Sequence, residues 1–284
     1  PVEMLLGGDL AKMLGGEEKN VLLERVSEFR KQFAQDMGFV LPKVKFKDSA
    51  TAQATHYEIA LFGDVVATGT VMPGQLLAIL PSGHTNLVPG VETKDPSYGL
   101  PALWIDPAQR DAARAAKFTL VDTTTVLVTH LTETLRLQAS NLLTRTEVDR
   151  MLGRLRLSQP GLVEELVPTQ LSVGDLQKVL QGLMKEKVPI RNLEAIVETL
   201  VDAAKASKDV GVLVEFARQR LATTICNSVS ADKKTLHVLT LHPEIEGQLL
   251  RALNVGEGGR QAAVDPRLTE TLLLKLAQQT ERML

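Results

Sequence analysis

Aromatic residues are scarce in this chain, at 4% of 284 residues, with one tryptophan and two tyrosines. Cysteine is scarcer still, with Cys226 alone. A single thiol excludes an intramolecular disulfide and fits a reducing compartment. An excess of one charge is also missing. Lys and Arg number 32 against 34 Asp and Glu, a formal net charge of −2, so no bulk field draws the chain to nucleic acid. No apolar run approaches the roughly 20 residues that cross a bilayer, and no basic stretch followed by an apolar one opens the chain, so no signal peptide is read. The first residue is Pro1 rather than Met, which points to a fragment or processed product of a longer protein.

The motifs of the common chemistries are missing too. No G-x-x-x-x-G-K-[ST] offers a phosphate cradle, and "GEGG" at 256–259 lacks both the third glycine of a dinucleotide turn and a preceding strand. Zinc has no paired ligands, and His237 and His242 would point to opposite faces of one extended strand. Cys226, near the end of an apolar helical stretch, reads as a buried, inert thiol. His130 reads as a hydrogen-bonded core group of a helix rather than a base. Glu164 and Glu165 are adjacent in sequence and cannot share a proton. The expectation is a protein without catalytic residues, metal or cofactor.

What remains is an ordinary globular composition, 44% apolar and 23% charged. Residues 1–20 carry two Gly-Gly pairs and read as a linker. Leu22, Val26, Phe29 and Phe33 recur at helical spacing up to Gly38. "KVKFK" alternates as a half-buried strand with its lysines outward. Tyr57, Ile59 and Leu61 form another, returning through Gly63-Asp64 into "VVATGTV". "QLLAIL", "ALWI" and "FTLV" predict further strands around a loop-rich stretch over 81–101, with a helix capped by Asp106 and Pro107. A long helix is predicted from about Thr123 to Leu143.

Beyond 143 the pattern turns helical. Thr144/Glu147 and Ser172/Asp175 have capping-box spacing, and Leu176, Val179, Leu180 and Leu183 share one face. Pro189 opens a helix bearing Leu193, Ile196, Val197, Leu200 and Val201. From about 209 a helix, the strand "TLHVLTL" at 235–241, a helix from Pro243, the loop "GEGGR" at 256–260 and a helix from Asp265-Pro266 follow. A lone strand needs partners elsewhere. The division is therefore a linker at 1–20, a first α/β part at 21–73 and 121–143, a β-rich insert at 74–120, a helical part at 144–206 and an α/β part at 207–284. The fold class is α+β with several subdomains, the last incomplete.

Both a tyrosine and the only tryptophan fall within "KDPSYGLPALWI", residues 94–105. Trp104, between Leu103 and Ile105, reads as core. Tyr98 lies between Pro96 and Gly99 beside Asp95. From spacing alone it reads equally as loop closure or as a ring presented on a rigid binding loop.

Several segments taken together, "RKQFAQDMGFVLP", "MPGQLLAILPSG", "DPSYGLPALWI", "LVDTTTVLVTHL", "EELVP" and "VPIRNLEAIVETL", resemble the cytoplasmic domain of the type III secretion export-gate family. The wording leans toward its flagellar rather than its injectisome members. The resemblance runs from about residue 20 to the end. It implies four subdomains, the second inserted in the first, and a last one that continues past residue 284. It implies a membrane-embedded parent at the bacterial inner membrane and assembly into a nine-membered ring. The ring would receive chaperone–substrate complexes and export components, including the ATPase complex. It further implies a chaperone-docking dimple made by Asp95 as a rim carboxylate, Tyr98 as the apolar anchor and Thr129 as a floor contact. The family commonly has Phe where this chain has Tyr98. An injectisome gate serving effectors is the alternative.

Overall fold

Val2, Met4 and Leu6 are buried and alternate with partly exposed Glu3 and Leu5. This is strand β1 (Val2–Leu6), the second strand of a four-stranded sheet ordered β2-β1-β3-β4. The expected linker over 1–20 is thus corrected. The apolar alternation outweighs the glycines, which begin only at Gly7, and α1 (Gly8–Met13) follows at once. The sheet is completed by β2 (Val44–Asp48), β3 (His56–Leu61) and β4 (Asp64–Thr70). β1 runs parallel to β2 and antiparallel to β3. Between β1 and β2 lies α2 (Glu17–Met37), which buries Leu22, Val26 and Phe33 and ends on left-handed Gly38.

The structure, a computed structural model, describes residues 1–80, 88–230, 232–254 and 264–283. The loops expected at 81–87 and 256–260 lie outside the described residues. Two compact units divide the chain, Pro1–Ala222 and Thr223–Leu284.

A second sheet, ordered β6-β7-β5-β8, follows the first. Its strands are β5 (Leu76–Ile79), β6 (Val91–Lys94), β7 (Pro101–Ile105) and β8 (Thr119–Asp122), each antiparallel to its neighbours. β6 falls inside the stretch read as loop. Its sequence, VETK, has no apolar alternation, and backbone pairing to β7 alone makes it a strand. A 3₁₀ turn (Pro107–Gln109) and α3 (Arg110–Ala115) connect β7 to β8. Asp106 caps the turn, accepting from the Ala108 N–H at 2.8 Å. One face of this sheet, with Leu76, Ala78, Leu103 and Ile105, packs on Val88, Ala113 and Phe118. Trp104 is buried and paired with Leu77 and Val91.

The chain then crosses to α4 (Thr123–Leu137), capped by Asp122, and a short α5 (Ala139–Leu142). The Thr123 hydroxyl donates to the Met72 carbonyl at 3.0 Å, pinning the entry and exit of the second sheet together. α2 packs on α4, where the Thr124 hydroxyl meets the Glu18 carboxylate at 2.6 Å and Arg25 reaches the Thr125 hydroxyl at 2.7 Å.

The helical part comprises α6 (Arg145–Ser158), α7 (Pro160–Leu166), α8 (Val173–Lys185), α9 (Leu193–Ala206) and α10 (Val210–Arg220). The Ser172/Asp175 capping box is formed on both sides. Gln177 and Gln181 both donate to the Leu143 carbonyl, which ties α8 to the end of α5. A boundary expected at 207 falls at 222. The reason is that α10 buries Leu213, Val214 and Ala217 and packs against α8 and α9.

In the second unit the described residues form α11 (Ala222–Val229, entered from the first unit), α12 (Pro243–Asn254) and α13 (Pro266–Met283). The expected strand at 235–241 has no ladder partner among the described residues, so its apolar alternation stays exposed. Cys226 is exposed rather than buried, because α11 buries none of its side chains.

Candidate functional site

The turn joining β6 to β7 is closed by its own backbone. The Asp95 N–H donates to the Leu100 carbonyl and the Gly99 N–H to the Asp95 carbonyl, both at 2.8 Å. The Asp95 carboxylate accepts from the Tyr98 N–H at 2.7 Å, the Asx geometry that short acidic side chains impose on turns. Gly99 takes φ = 69°, a region open to glycine at little cost. Tyr98 is pushed outward on this turn and is 62% exposed.

Asp95 itself is only 5% exposed. The expected rim carboxylate is therefore corrected: the turn folds the carboxylate inward over its own amides. Thr129 is half-buried on α4, and its carbonyl accepts from the Thr132 hydroxyl. The structure brings Asp95 and Tyr98 into direct contact. Among the described residues no hydrogen bond joins Thr129 to either.

Glu133 lies on α4 one helical turn beyond Thr129. Loss of solvent and the Glu133 carboxylate raise the Tyr98 phenol above its usual value, with Asp95 adding and Arg136 opposing. Glu133 is 3.5 Å from Arg136, whose guanidinium stacks over the Phe29 ring at 4.9 Å. The i, i+4 spacing from Thr129 to Glu133 was the available signal for this residue.

Behind the turn lies a crevice of about 180 Å³ lined by Val66 and Ala67 of β4, Pro96 and Ser97 of the turn, and His130, Glu133, Thr134, Leu137 and Gln138 from α4 and its C-cap. Leu137 is 73% exposed at its mouth. His130 is buried as expected. Its Nδ1 lies 2.6 Å from the Tyr57 hydroxyl, with the rings edge-on. Burial raises the Tyr57 phenol far above its usual value and lowers the His130 imidazole, while Asp95 pushes both upward.

Two larger open grooves of about 590 and 560 Å³ flank Val40 and share Arg154. In the second unit a mostly apolar groove of about 470 Å³ is lined by Leu239, Leu241, Ile245, Leu272 and Leu276 among others. Among the described residues no three His, Cys, Asp or Glu side chains form a metal-holding group, and no helix is long and apolar enough to cross a membrane.

Tyr98 is thus an exposed ring on a turn braced by its own hydrogen bonds. Comparison with known proteins agrees in placing the whole chain, as residues 1–284 match the FHIPEP family. The chain belongs to the FHIPEP family. It is 36% identical to the flagellar biosynthesis protein FlhA of Bacillus subtilis (strain 168) over 283 residues, covering 100% of the chain and 42% of that protein. With FlhA of Escherichia coli (strain K12) it shares 36% identity, covering 94% of the chain and 39% of that protein. The chain thus spans about two fifths of the length of these relatives.

Among solved structures, the CdsV protein of Chlamydia pneumoniae superposes with a TM-score of 0.82 at 25% identity, covering 98% of the chain and 81% of that structure. The nonameric SctV-C of EPEC superposes at 0.74 with 20% identity, covering 98% of the chain and 82% of that structure, and bears on the fold alone. The multi-subdomain α+β fold is shared with these proteins.

Proposed function

We propose that this part of the protein is the cytoplasmic docking platform of a flagellar type III export gate, where chaperone–substrate complexes and export components are received before secretion. The observation that carries the reading is Tyr98, a tyrosine 62% exposed on a turn closed by Asp95, in a chain 36% identical to flagellar FlhA proteins. A large ring with a polar tip, held without conformational freedom, binds at low entropic cost. Tyr98 is the apolar anchor of the chaperone site, Thr129 of α4 is a further contact of the partner, and Asp95 holds the turn from within. The platform works by binding and not by catalysis.

The wider setting follows from the family. The parent is embedded in the bacterial inner membrane with this domain on the cytoplasmic face, and copies form a ring of nine, as SctV-C does. The CdsV protein of Chlamydia pneumoniae has been solved in complex with CdsO; export components, including the ATPase complex, are read here as a second class of partner. The 36% identity to flagellar proteins, against 25% or less to the CdsV and SctV structures, favours the flagellar over the injectisome assignment.

Calorimetry against a panel of flagellar chaperones, each with its cargo, tests this. At least one complex binds, and Tyr98→Ala weakens it roughly 30-fold or more, as loss of a central anchor worth about 2 kcal/mol requires. Tyr98→Phe is tolerated. Wild-type affinity in Tyr98→Ala, with circular dichroism unchanged, removes the assignment.

A further inference from the structure

The second sheet is a small body with its own core, Leu76, Ala78, Leu103 and Ile105 packed on Val88, Ala113 and Phe118. The chain enters it once and leaves it once. On the way in, the Val71 N–H donates to the carbonyl of Thr55, just before β3, at 3.1 Å. On the way out, the Asp122 carboxylate caps α4, accepting from the Thr125 N–H and hydroxyl at 2.8 Å each. Between these ties the joint consists of Met72–Gln75 and Thr123. Met72–Gln75 is a turn closed by the Gln75 N–H on the Met72 carbonyl at 3.2 Å. Pro73 stands at its second position and Gly74, with φ = 76°, at its third, the residues a type II turn takes there. The Thr123 hydroxyl bridges both ends of that turn, donating to the Met72 carbonyl at 3.0 Å and the Gln75 carbonyl at 3.3 Å. Thr123 is only 5% exposed. Leu76, the next residue of the incoming chain, pairs with Asp122 in the first rung of the β5–β8 ladder.

One buried hydroxyl therefore closes the angle between the sheet that carries Tyr98 and the helix that carries Thr129. We infer that Thr123 is a positioning residue of the docking surface, which sets the Tyr98 turn against α4 without touching the partner. The inference rests on the reading of Tyr98 as the docking ring.

The joint works through a long lever. The β5–β7 ladder runs from the Leu76–Ile105 pair at the joint to the Ile79–Ala102 pair, and the Leu80 N–H then donates to the Pro101 carbonyl at 3.0 Å. The Tyr98 turn follows at that far end. Strand of this length spans about 17 Å, over which a rotation of about 10° at the joint moves the ring by roughly 3 Å. The turn faces α4 across the crevice of about 180 Å³, and among the described residues no backbone hydrogen bond joins the two. Loss of the Thr123 hydroxyl frees the joint and leaves the turn's own bond, the Asp122 cap and the core of the sheet in place. A surface that holds the docking geometry only a tenth of the time binds about tenfold more weakly, with no contact to the partner altered.

The test uses the 284-residue chain with the flagellar chaperone–cargo complex that binds best. Thr123→Val keeps the shape and loses the donor, while Thr123→Ser keeps the donor. Affinity is measured by calorimetry. Without partner, spin labels on Glu28→Cys of α2 and Glu92→Cys of β6, both exposed positions, report the distance between the two bodies in a Cys226→Ser background. Thr123→Val loses about tenfold in affinity and shifts or broadens the label distance by about 3 Å, with circular dichroism unchanged. Thr123→Ser stays within about threefold of wild type and keeps the wild-type distance. Gly74→Ala acts on the same turn from outside, because its added Cβ meets nothing within 4 Å and only the left-handed backbone opposes it. It moves the labels in the same way and decides the question if Thr123→Val does not fold. Wild-type label distances in Thr123→Val and Gly74→Ala overturn the inference, as does wild-type affinity in Thr123→Val. Equal losses in Thr123→Val and Thr123→Ser with unchanged distances make Thr123 a packing residue and overturn it too. If Tyr98→Ala binds as wild type does, the docking reading falls by itself, and the label distances still decide whether Thr123 sets the sheet.

Discussion

Gly69 on β4 stands opposite Tyr57 on β3, and a Cβ added to Gly69 would lie 2.4 Å from the Tyr57 hydroxyl oxygen. The phenol fills the space a side chain would occupy and is held there by His130. Gly69→Ala is expected to destabilise the chain by about 1–3 kcal/mol, the usual cost of overpacking a core. Urea unfolding should show a lower midpoint with an unchanged slope. Equal stability of Gly69→Ala and wild type would show that Tyr57 can move aside freely.

Gly38 ends α2 at φ = 82°, and its missing Cβ would meet the Arg191 Cα at 2.2 Å. The Ile190 N–H donates to the Met37 carbonyl at 2.9 Å in the same place. Gly38→Ala thus combines a left-handed backbone with a backbone clash, and a loss of roughly 2 kcal/mol or more is expected. Thermal unfolding checks this. A shift no larger than that of a surface alanine substitution would show that the helical part can slide away from α2.

Opening should divide the chain at 222. Among the described residues no hydrophobic side chain beyond Leu221 is buried. Local stability follows buried apolar contact. Amides of α10 are expected to exchange together with those of α8 and α9, and amides of α12 and α13 much sooner. Protection of α12 and α13 equal to that of α9 would contradict the prediction.

The Ser172 hydroxyl donates to Asp175 at 2.6 Å and in return accepts from the Asp175 N–H at 3.1 Å. The bond from Ser172 is the main cause that holds the Asp175 carboxyl below its usual value, with Lys178 assisting. Its contribution is present above the ordinary aspartate value, about 3.9, and is lost as pH falls through the lowered one. Ser172→Ala should cost about 1 kcal/mol at neutral pH and flatten this part of the acid limb. Denaturant midpoints from pH 2 to 7 measure both effects.

The helices were legible because they carry their own signals. Leu176, Val179, Leu180 and Leu183 repeat on one face, and the Ser172 cap announces the start. The strands were legible only where burial alternates. β6 has no such pattern and exists through its partner, while 235–241 has the pattern and no described partner. β1 had alternation at Val2, Met4 and Leu6, masked by the glycines that follow it. At the site, Pro96, Tyr98 and Gly99 marked a turn but left open whether its ring closes the loop or is presented, and the structure exposes it. The depth of Asp95 could not be read, because a carboxylate is expected at the surface and only the closed turn carries it inward. The Tyr57–His130 contact spans 73 residues of sequence, and no local spacing encodes it.

β1 is laddered on both sides, parallel to β2 and antiparallel to β3 from Val2 through Leu6, and the Pro1 carbonyl is already bonded to the Phe62 N–H. Tension applied at Pro1 would therefore run along two ladders at once and load their hydrogen bonds in shear, instead of peeling them one at a time. The sheet that carries Tyr57 is in this sense a mechanical anchor point, and a pull on the start of the chain is transmitted to the strand that supports His130 before any helix is strained.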